Sequence, residues 1–264
     1  MKLIDLRKHF IEKADWLDPD PYKTVDKIIV GDPQQDVRTC VVVWTSSFEA
    51  VRQAVAGGVD LLVTHEPTYY THSHDPEQDY QAETGYGAEK RRFIEDNGLA
   101  ILRLHDTWDY WPEVGITFSW AKFLELPGRP VAMERGQHRY DIEPTTLGEF
   151  AEHVASKTAA VGEPHPIAFG NLDQAVSKIG VGVGCGCNID VFRGLGCDLS
   201  VVCDDGSCYW AAIQRAEDEG HPVIRVNHGT SEEAGMKNLA KYINENIEGV
   251  TAEYLSVARK FHQV

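Results

Sequence analysis

The stretch DLLVTHEPT, Asp60 to Thr68, decides how the chain is read. Leu61 to Thr64 form a short apolar, β-branched run of the kind that fills a strand buried on both faces. An imidazole and a carboxylate follow at once, His65 and Glu66. Pro67 then ends the run, because it has no N–H to offer a ladder. In open parallel sheets, chemistry gathers at the carboxyl ends of strands. His65 and Glu66 therefore stand where a metal ligand or an acid/base pair is expected.

The elements on either side extend this reading. Residues 3–17 have apolar positions at helical spacing, and 27–31 and 37–44 are strand-like runs. Ser46 with Glu49 reads as a capping box for a helix that closes at Gly57-Gly58. The strand into His65 completes a βαβ unit. A helix over 88–97 leads to a strand over 99–104, with His105, Asp106 and Asp109 just past its end. Residues 115–126 look helical. From 127 to 172 the pattern changes to a connecting segment with an edge strand near 131–133 and a capping box at Thr146 and Glu149. Strand and helix patterns then resume: strands over 178–184, 198–203 and 221–226, helices over 189–195 and 207–219, a capped helix from Thr230 with Glu233, and a last strand over 250–255.

This second half repeats the first. GVDLLVTHE from Gly58 aligns with GCDLSVVCD from Gly196, and EDNGLAILRLHD from Glu95 with EDEGHPVIRVNH from Glu217. The first copy is longer between its two matches, and the surplus fits the polar loop from Thr71 to Gly87. The expected architecture is α/β: two duplicated α/β/α halves with mixed sheets, spanning 1–126 and 173–264 and joined by 127–172. Strand ends from the two halves are expected to meet in one cleft holding a metal site.

Composition narrows the partners. The net charge is −16 and the pI about 5.0, which argues against nucleic acid or an anionic membrane. No apolar run approaches the roughly 20 residues of a bilayer span. The start, MKLIDLRKHF, has charges where a signal peptide is apolar, so a cytoplasmic location is expected. The six cysteines lack paired C-x-x-C spacing and read as small apolar core residues. GVGVGCGC, Gly180 to Cys187, fails the strict dinucleotide spacing, so tight backbone packing explains it better than phosphate binding. His72, His74 and Asp75 lie in the long polar loop, as a solvated surface or as a lid. No G-x-S-x-G elbow is present, and His65-Glu66 lacks the second histidine of a zincin.

Three polar pairs follow three strands: His65 with Glu66, His105 with Asp109, and His228 with Glu232. Imidazole with carboxylate suits zinc, iron or manganese. Each residue alone is as well explained as a satisfied polar group in a loop, and Glu232 also suits a helix N-terminus without any metal.

Taken in order, these motifs resemble the Nif-three-like (Ngg-one-interacting-factor) family, catalogued as GTP cyclohydrolase I type-two homologues. Its D-hydrophobic-T-H-H-P signature corresponds to Asp60 through Pro67, its H-x-x-x-D signature to His105 through Asp109, and its G-H-x-x-x-E signature to Asn227 through Glu232. The resemblance implies a dinuclear metal site, duplicated α/β halves and a ring-shaped homohexamer. It also implies His65, Glu66, Asp109, His228 and Glu232 as ligands of one or two divalent ions per chain, with His105 beside them. Position 66 departs from the pattern, with Glu where the family has His. The function this implies is metal-dependent hydrolysis of a small substrate, a nucleotide or phosphoester, with Glu66 as ligand or general base and His105 as proton carrier. The alternative is a non-catalytic metal-binding scaffold.

Overall fold

The computed structural model describes residues 1–18, 23–70 and 83–256. Leu61 and its neighbours behave as their composition requires. β3 (Leu61–Thr64) is buried at every position. The elements before it are α1 (Leu3–Lys13), β1 (Ile28–Val30), β2 (Thr39–Val43) and α2 (Phe48–Ala56), and those after it are α3 (Gly85–Asp96), β4 (Ala100–Arg103) and α4 (Asp106–Asp109). β3 lies between β2 and β4, parallel to both, with Leu61 opposite Cys40 and Ala100. β1 runs antiparallel on the far side of β4. Val43, Leu62 and Ile101 pack under Ala50, Val51 and Ile94 of the covering helices. These elements, with the described residues from Met236 onward, form one compact unit.

Pro112–Gly235 form the second. Its elements are α5 (Ile116–Phe123), β5 (Ala132–Glu134), β6 (Gln137–Thr146), α6 (Leu147–Thr158), β7 (Ile167–Phe169), β8 (Ala175–Val181), α7 (Ile189–Gly194), β9 (Leu199–Cys203), α8 (Gln214–Asp218) and β10 (Val223–Val226). The sheet order is β5-β6-β8-β9-β10-β7. β8, β9 and β10 are mutually parallel, and β7 runs antiparallel beside β10. The segment 127–172, read from the sequence as a connection, thus supplies three strands and a helix of this sheet's layer. α9 (His228–Asn246) carries the chain back to β11 (Thr251–Tyr254), which pairs in parallel with β2 and completes the first sheet as β1-β4-β3-β2-β11. The last strand therefore belongs to the first sheet, not to the second half.

The duplication holds at the level of strands and of single side chains. β1-β4-β3-β2 and β7-β10-β9-β8 have the same order and the same directions. The aspartate that opens each D-L-x-V string does the same work in each copy. Asp60 accepts the Arg38 and Thr39 N–H groups at the start of β2, and Asp198 accepts those of Ser177 and Lys178 in β8. Each carboxylate thus fixes the register of the neighbouring strand.

Several local expectations are corrected. The cap of α2 is Ser47, whose hydroxyl accepts the Ala50 N–H. Ser46 is buried and donates to Thr68 Oγ1 instead. α9 begins at His228, two residues ahead of the expected Thr230 cap. The expected helix over 207–219 opens as a wide π turn, Tyr209–Ile213, before α8. Cys185 and Cys208 are exposed, while the other four cysteines are buried and all six are free thiols. The Thr146/Glu149 capping box forms with both of its bonds. The glycines of GVGVGCGC serve packing: a Cβ on Gly180 or Gly182 would come within 2.7 or 2.9 Å of the Phe192 ring. The loop holding His72, His74 and Asp75 lies outside the described residues. Among the described residues, no helix is long and apolar enough to cross a membrane.

Asp60→Ala and Asp198→Ala should each lower unfolding free energy by about 0.5–1.5 kcal/mol, the net worth of hydrogen bonds whose donors water can reach. The two losses should add, because the residues share no partner. Denaturant titration checks this, and a double variant as stable as the parent would sink the assigned role.

Candidate metal centre

Parallel pairing of β3 and β4 places Thr64 opposite Arg103, so the residues that follow emerge side by side. His65 and Glu66 turn back on the Trp44 carbonyl, which accepts both of their N–H groups. His65 Nδ1 lies 3.1 Å from Leu104 O. A carbonyl can only accept, so Nδ1 carries the proton. In the neutral ring the lone pair is then at Nε2, 3.3 Å from Asp109 Oδ1. Two acceptors at that distance need a cation or a proton between them.

Asp109 serves a second imidazole with its other oxygen: Oδ2 lies 3.2 Å from His105 Nδ1. The His65 and His105 rings stack, with centroids 4.3 Å apart and planes 9° from parallel. His65, His105 and Asp109 each offer one ligand atom, and these atoms all lie within 4.8 Å of one another. A Glu66 carboxylate oxygen is within the same distance of a His65 ring nitrogen. The mixed nitrogen and oxygen donor set fits a divalent ion.

A buried carboxylate that the sequence does not advertise holds this arrangement. Asp26 Oδ1 accepts the His105 N–H at 2.6 Å and the Thr107 hydroxyl at 2.8 Å. Its Oδ2 accepts the Thr24 hydroxyl and the Thr107 N–H. Burial pushes the Asp26 pKa up, against the pull of these donors. Asp106 has the opposite balance. Burial disfavours its charge, but His105 Nδ1, the Val25 N–H and the Thr24 hydroxyl outweigh that and bring its pKa down to about 2.

The second unit shows a comparable device where β10 passes into α9. Asp204, past the end of β9, accepts the His228 N–H at 2.8 Å. Glu163 accepts the Asn227 N–H. His228 and Glu232 sit one helical turn apart on the same face, with Nε2 and Oε1 at 2.9 Å, and Asp205 Oδ2 lies 2.8 Å from Nδ1. Gly184 lies against this pair with φ +59°, and a Cβ there would come within 2.9 Å of His228 Nε2. Sequence reasoning placed His65, Glu66, His105 and Asp109 in one half and His228 and Glu232 in the other. It missed Asp26, Glu163, Asp204, Asp205 and Gly184. The Asp204-Asp205 pair at a strand end was the available signal; Asp26 had none.

The family model described as Duf34/NIF3 (NGG1p interacting factor 3) matches residues 7–260. Among solved structures, protein ybgI superposes with a TM-score of 0.81 at 19% identity, covering 99% of this chain and 100% of its own. Staphylococcus aureus protein SA1388 gives 0.79 at 18% identity, with 100% and 99% covered. A Bacillus cereus protein related to NIF3 gives 0.72 at 16% identity, with 97% and 98% covered. At these identities the likeness establishes the fold. No curated protein matches the sequence.

Asp26→Ala should cost about 2–4 kcal/mol, since it strands buried donors around His105; a loss under about 0.5 kcal/mol in denaturant titration would remove Asp26 from the account. Asp106 provides a pH test. Its pKa falls from 3.8 to about 2 in the folded chain, so its stabilisation is present above 3.8 and lost as pH drops through the folded value. The stability gap between the parent and Asp106→Asn should therefore close over that window. A gap unchanged down to the folded value would contradict the assignment.

Proposed function

Because the chain belongs to the Duf34/NIF3 (NGG1p interacting factor 3) family, we propose that it is a metal-dependent hydrolase acting on a small substrate, a nucleotide or phosphoester. The observation that carries the reading is the anchored tautomer of His65, which turns the Nε2 lone pair toward an oxygen of Asp109. That pairing, with His105 stacked alongside, fits a metal-binding protein. His65, Glu66 and Asp109 are the proposed ligands of the first unit, and His228 with Glu232 those of the second. One or two divalent ions per chain, zinc, iron or manganese, would be held. When bound, such an ion lowers the pKa of a coordinated water and polarises the bond to be broken.

The chain's own residues have separable parts in this proposal. Leu104 O fixes the His65 ring through Nδ1, the orientation that metal-ligating histidines take from a backbone carbonyl. Asp109 spans two imidazoles and sets their spacing. Glu66, next in the chain after His65, either ligates or holds the proton taken from water at its carboxylate. His105, with Asp106 and Asp109 at Nδ1, is placed to move a proton to or from the reacting centre. In the second unit, Asp205 orients His228 from its Nδ1 side. Glu66 in place of the family's histidine adds a harder, negative donor and biases the site toward oxygen-preferring ions. The homohexamer implied by the family resemblance belongs to the same proposal, and light scattering on the purified protein measures it.

Elemental analysis of the purified protein should find bound divalent metal. Asp109→Ala and Glu232→Ala should each weaken binding by about tenfold or more. Chelation should lower the melting temperature, and acidification should release the ion, because protonated imidazole cannot ligate. Metal content unchanged in Asp109→Ala would sink the ligand assignment. A phosphoester and nucleotide turnover screen across added zinc, manganese and iron tests catalysis separately. Metal bound without turnover of any substrate would favour the scaffold reading.

A further inference from the structure

Two of the buried cysteines are neighbours, and neither belongs to the centre described above. Cys187 Sγ lies 4.0 Å from Cys203 Sγ. Cys203 closes β9, and Cys187 follows the tight turn Gly184–Gly186. Glycines press the two segments together. A Cβ on Gly206 would come within 3.0 Å of Cys187 Cβ and 2.7 Å of Gly184 O, and one on Gly182 within 3.2 Å of Cys187 Sγ. A disulfide between them requires the sulfur separation to shorten to the bonded distance of about 2.0 Å. Cys187 also lines a cavity of about 360 Å³, with Asn188, Asp190, Gly206, Arg215 and Glu219. Cys203 is not part of that lining.

The charged lining gives the cavity a chemical preference. Arg215 makes a two-toothed ion pair with Asp190, at 2.6 and 2.9 Å, and reaches Glu219 at 3.2 Å. A guanidinium between two carboxylates presents both signs of charge within a few ångströms. That suits a small zwitterion carrying carboxylate and ammonium groups together. The volume of about 360 Å³ is at the lower end of the range for small-molecule sites, which excludes a macromolecular ligand.

We propose that Cys187 and Cys203 form a reversible dithiol–disulfide site that reacts with a small zwitterionic disulfide of the cystine type admitted through this cavity. Cys187, the cavity-lining thiol, loses its proton and attacks one sulfur of the incoming disulfide. A Cys187 mixed disulfide forms, the incoming S–S bond breaks, and one small thiolate leaves and takes up a proton. Cys203 then attacks the Cys187 sulfur, its proton passing to the second small thiolate as that departs. The two protein thiols are oxidised by two electrons, and one small disulfide is reduced to two thiols. The new bond draws Cys203 from Ser231, whose hydroxyl is 3.1 Å from Cys203 Sγ and donates to the His228 carbonyl. The oxidation state of the pair is thereby linked to the first turn of α9.

The test uses the reduced full-length chain and cystine. After incubation, the remaining thiols are blocked and peptides are mapped without reductant. The expected product is a Cys187–Cys203 crosslink, with the chain lighter by two hydrogens. Cys203→Ser should instead retain one cysteinyl group on Cys187. If that variant does not fold, a time course on the parent decides, because the Cys187 adduct must precede the crosslink. Arg215→Ala should slow the reaction with cystine by about tenfold, the worth of one charge-assisted contact, while leaving the rate with uncharged hydroxyethyl disulfide unchanged. Modification confined to the exposed Cys185 and Cys208, or equal slowing with both disulfides, would overturn the proposal.

Discussion

A backbone N–H at the carboxyl end of a buried parallel strand has left its ladder and must find another acceptor. After β3 the Trp44 carbonyl supplies it; after β4 and β10 carboxylates do. Asp26 takes the N–H of His105, Asp204 that of His228, and Glu163 that of Asn227. Each of these bonds fixes a backbone atom next to an imidazole, so the ring is aimed before any ligand arrives. His105 and His228 are therefore held by acidic residues from other segments, while His65 is held by the Trp44 and Leu104 carbonyls. Loss of such a residue removes both a hydrogen bond and an orientation.

The same economy appears at the opposite ends of the strands. Asp60 binds the N–H groups of Arg38 and Thr39 at the start of β2, and Asp198 those of Ser177 and Lys178 within β8. The chain thus spends its acidic residues at both ends of its two parallel cores, which accounts for part of the excess of negative charge. Within the first unit, Asp109 does for side chains what Asp26 does for backbone. One oxygen faces His65, the other faces His105, and the stacked rings keep their spacing because a single rigid group spans them.

What the sequence made legible follows from range. Leu61 to Thr64 and Leu199 to Cys203 could be read as interior strands because an uninterrupted apolar run has few other places to go. The Thr146/Glu149 box could be read because its two bonds join residues three apart. His65, Glu66, His105 and Asp109 could be nominated because each follows such a strand. Asp26 could not, since, Thr24 aside, its partners lie some eighty positions away. The start of α9 was missed for the same reason: the acceptor for the His228 N–H is Asp204, on another element. Ser46 and Ser47 are equally good caps on local grounds, and the choice was made by Thr68, which engages Ser46. The segment 127–172 looked like a connection because β6 lacks a clear alternation and β5 and β7 are only three residues long. The pairing of β6 with β8, of β5 with β6 and of β7 with β10 gives them their role.

β11 comes from the far end of the chain, yet it completes the first sheet beside β2. During synthesis the first sheet therefore emerges with one side open. The strand Thr39–Val43, TCVVV, presents bare amide and carbonyl groups on an apolar ribbon until residues 251–254 leave the ribosome. Such an edge invites pairing with any other nascent chain. The whole second unit, Pro112–Gly235, is made during that interval, so slower translation lengthens the exposure of this edge.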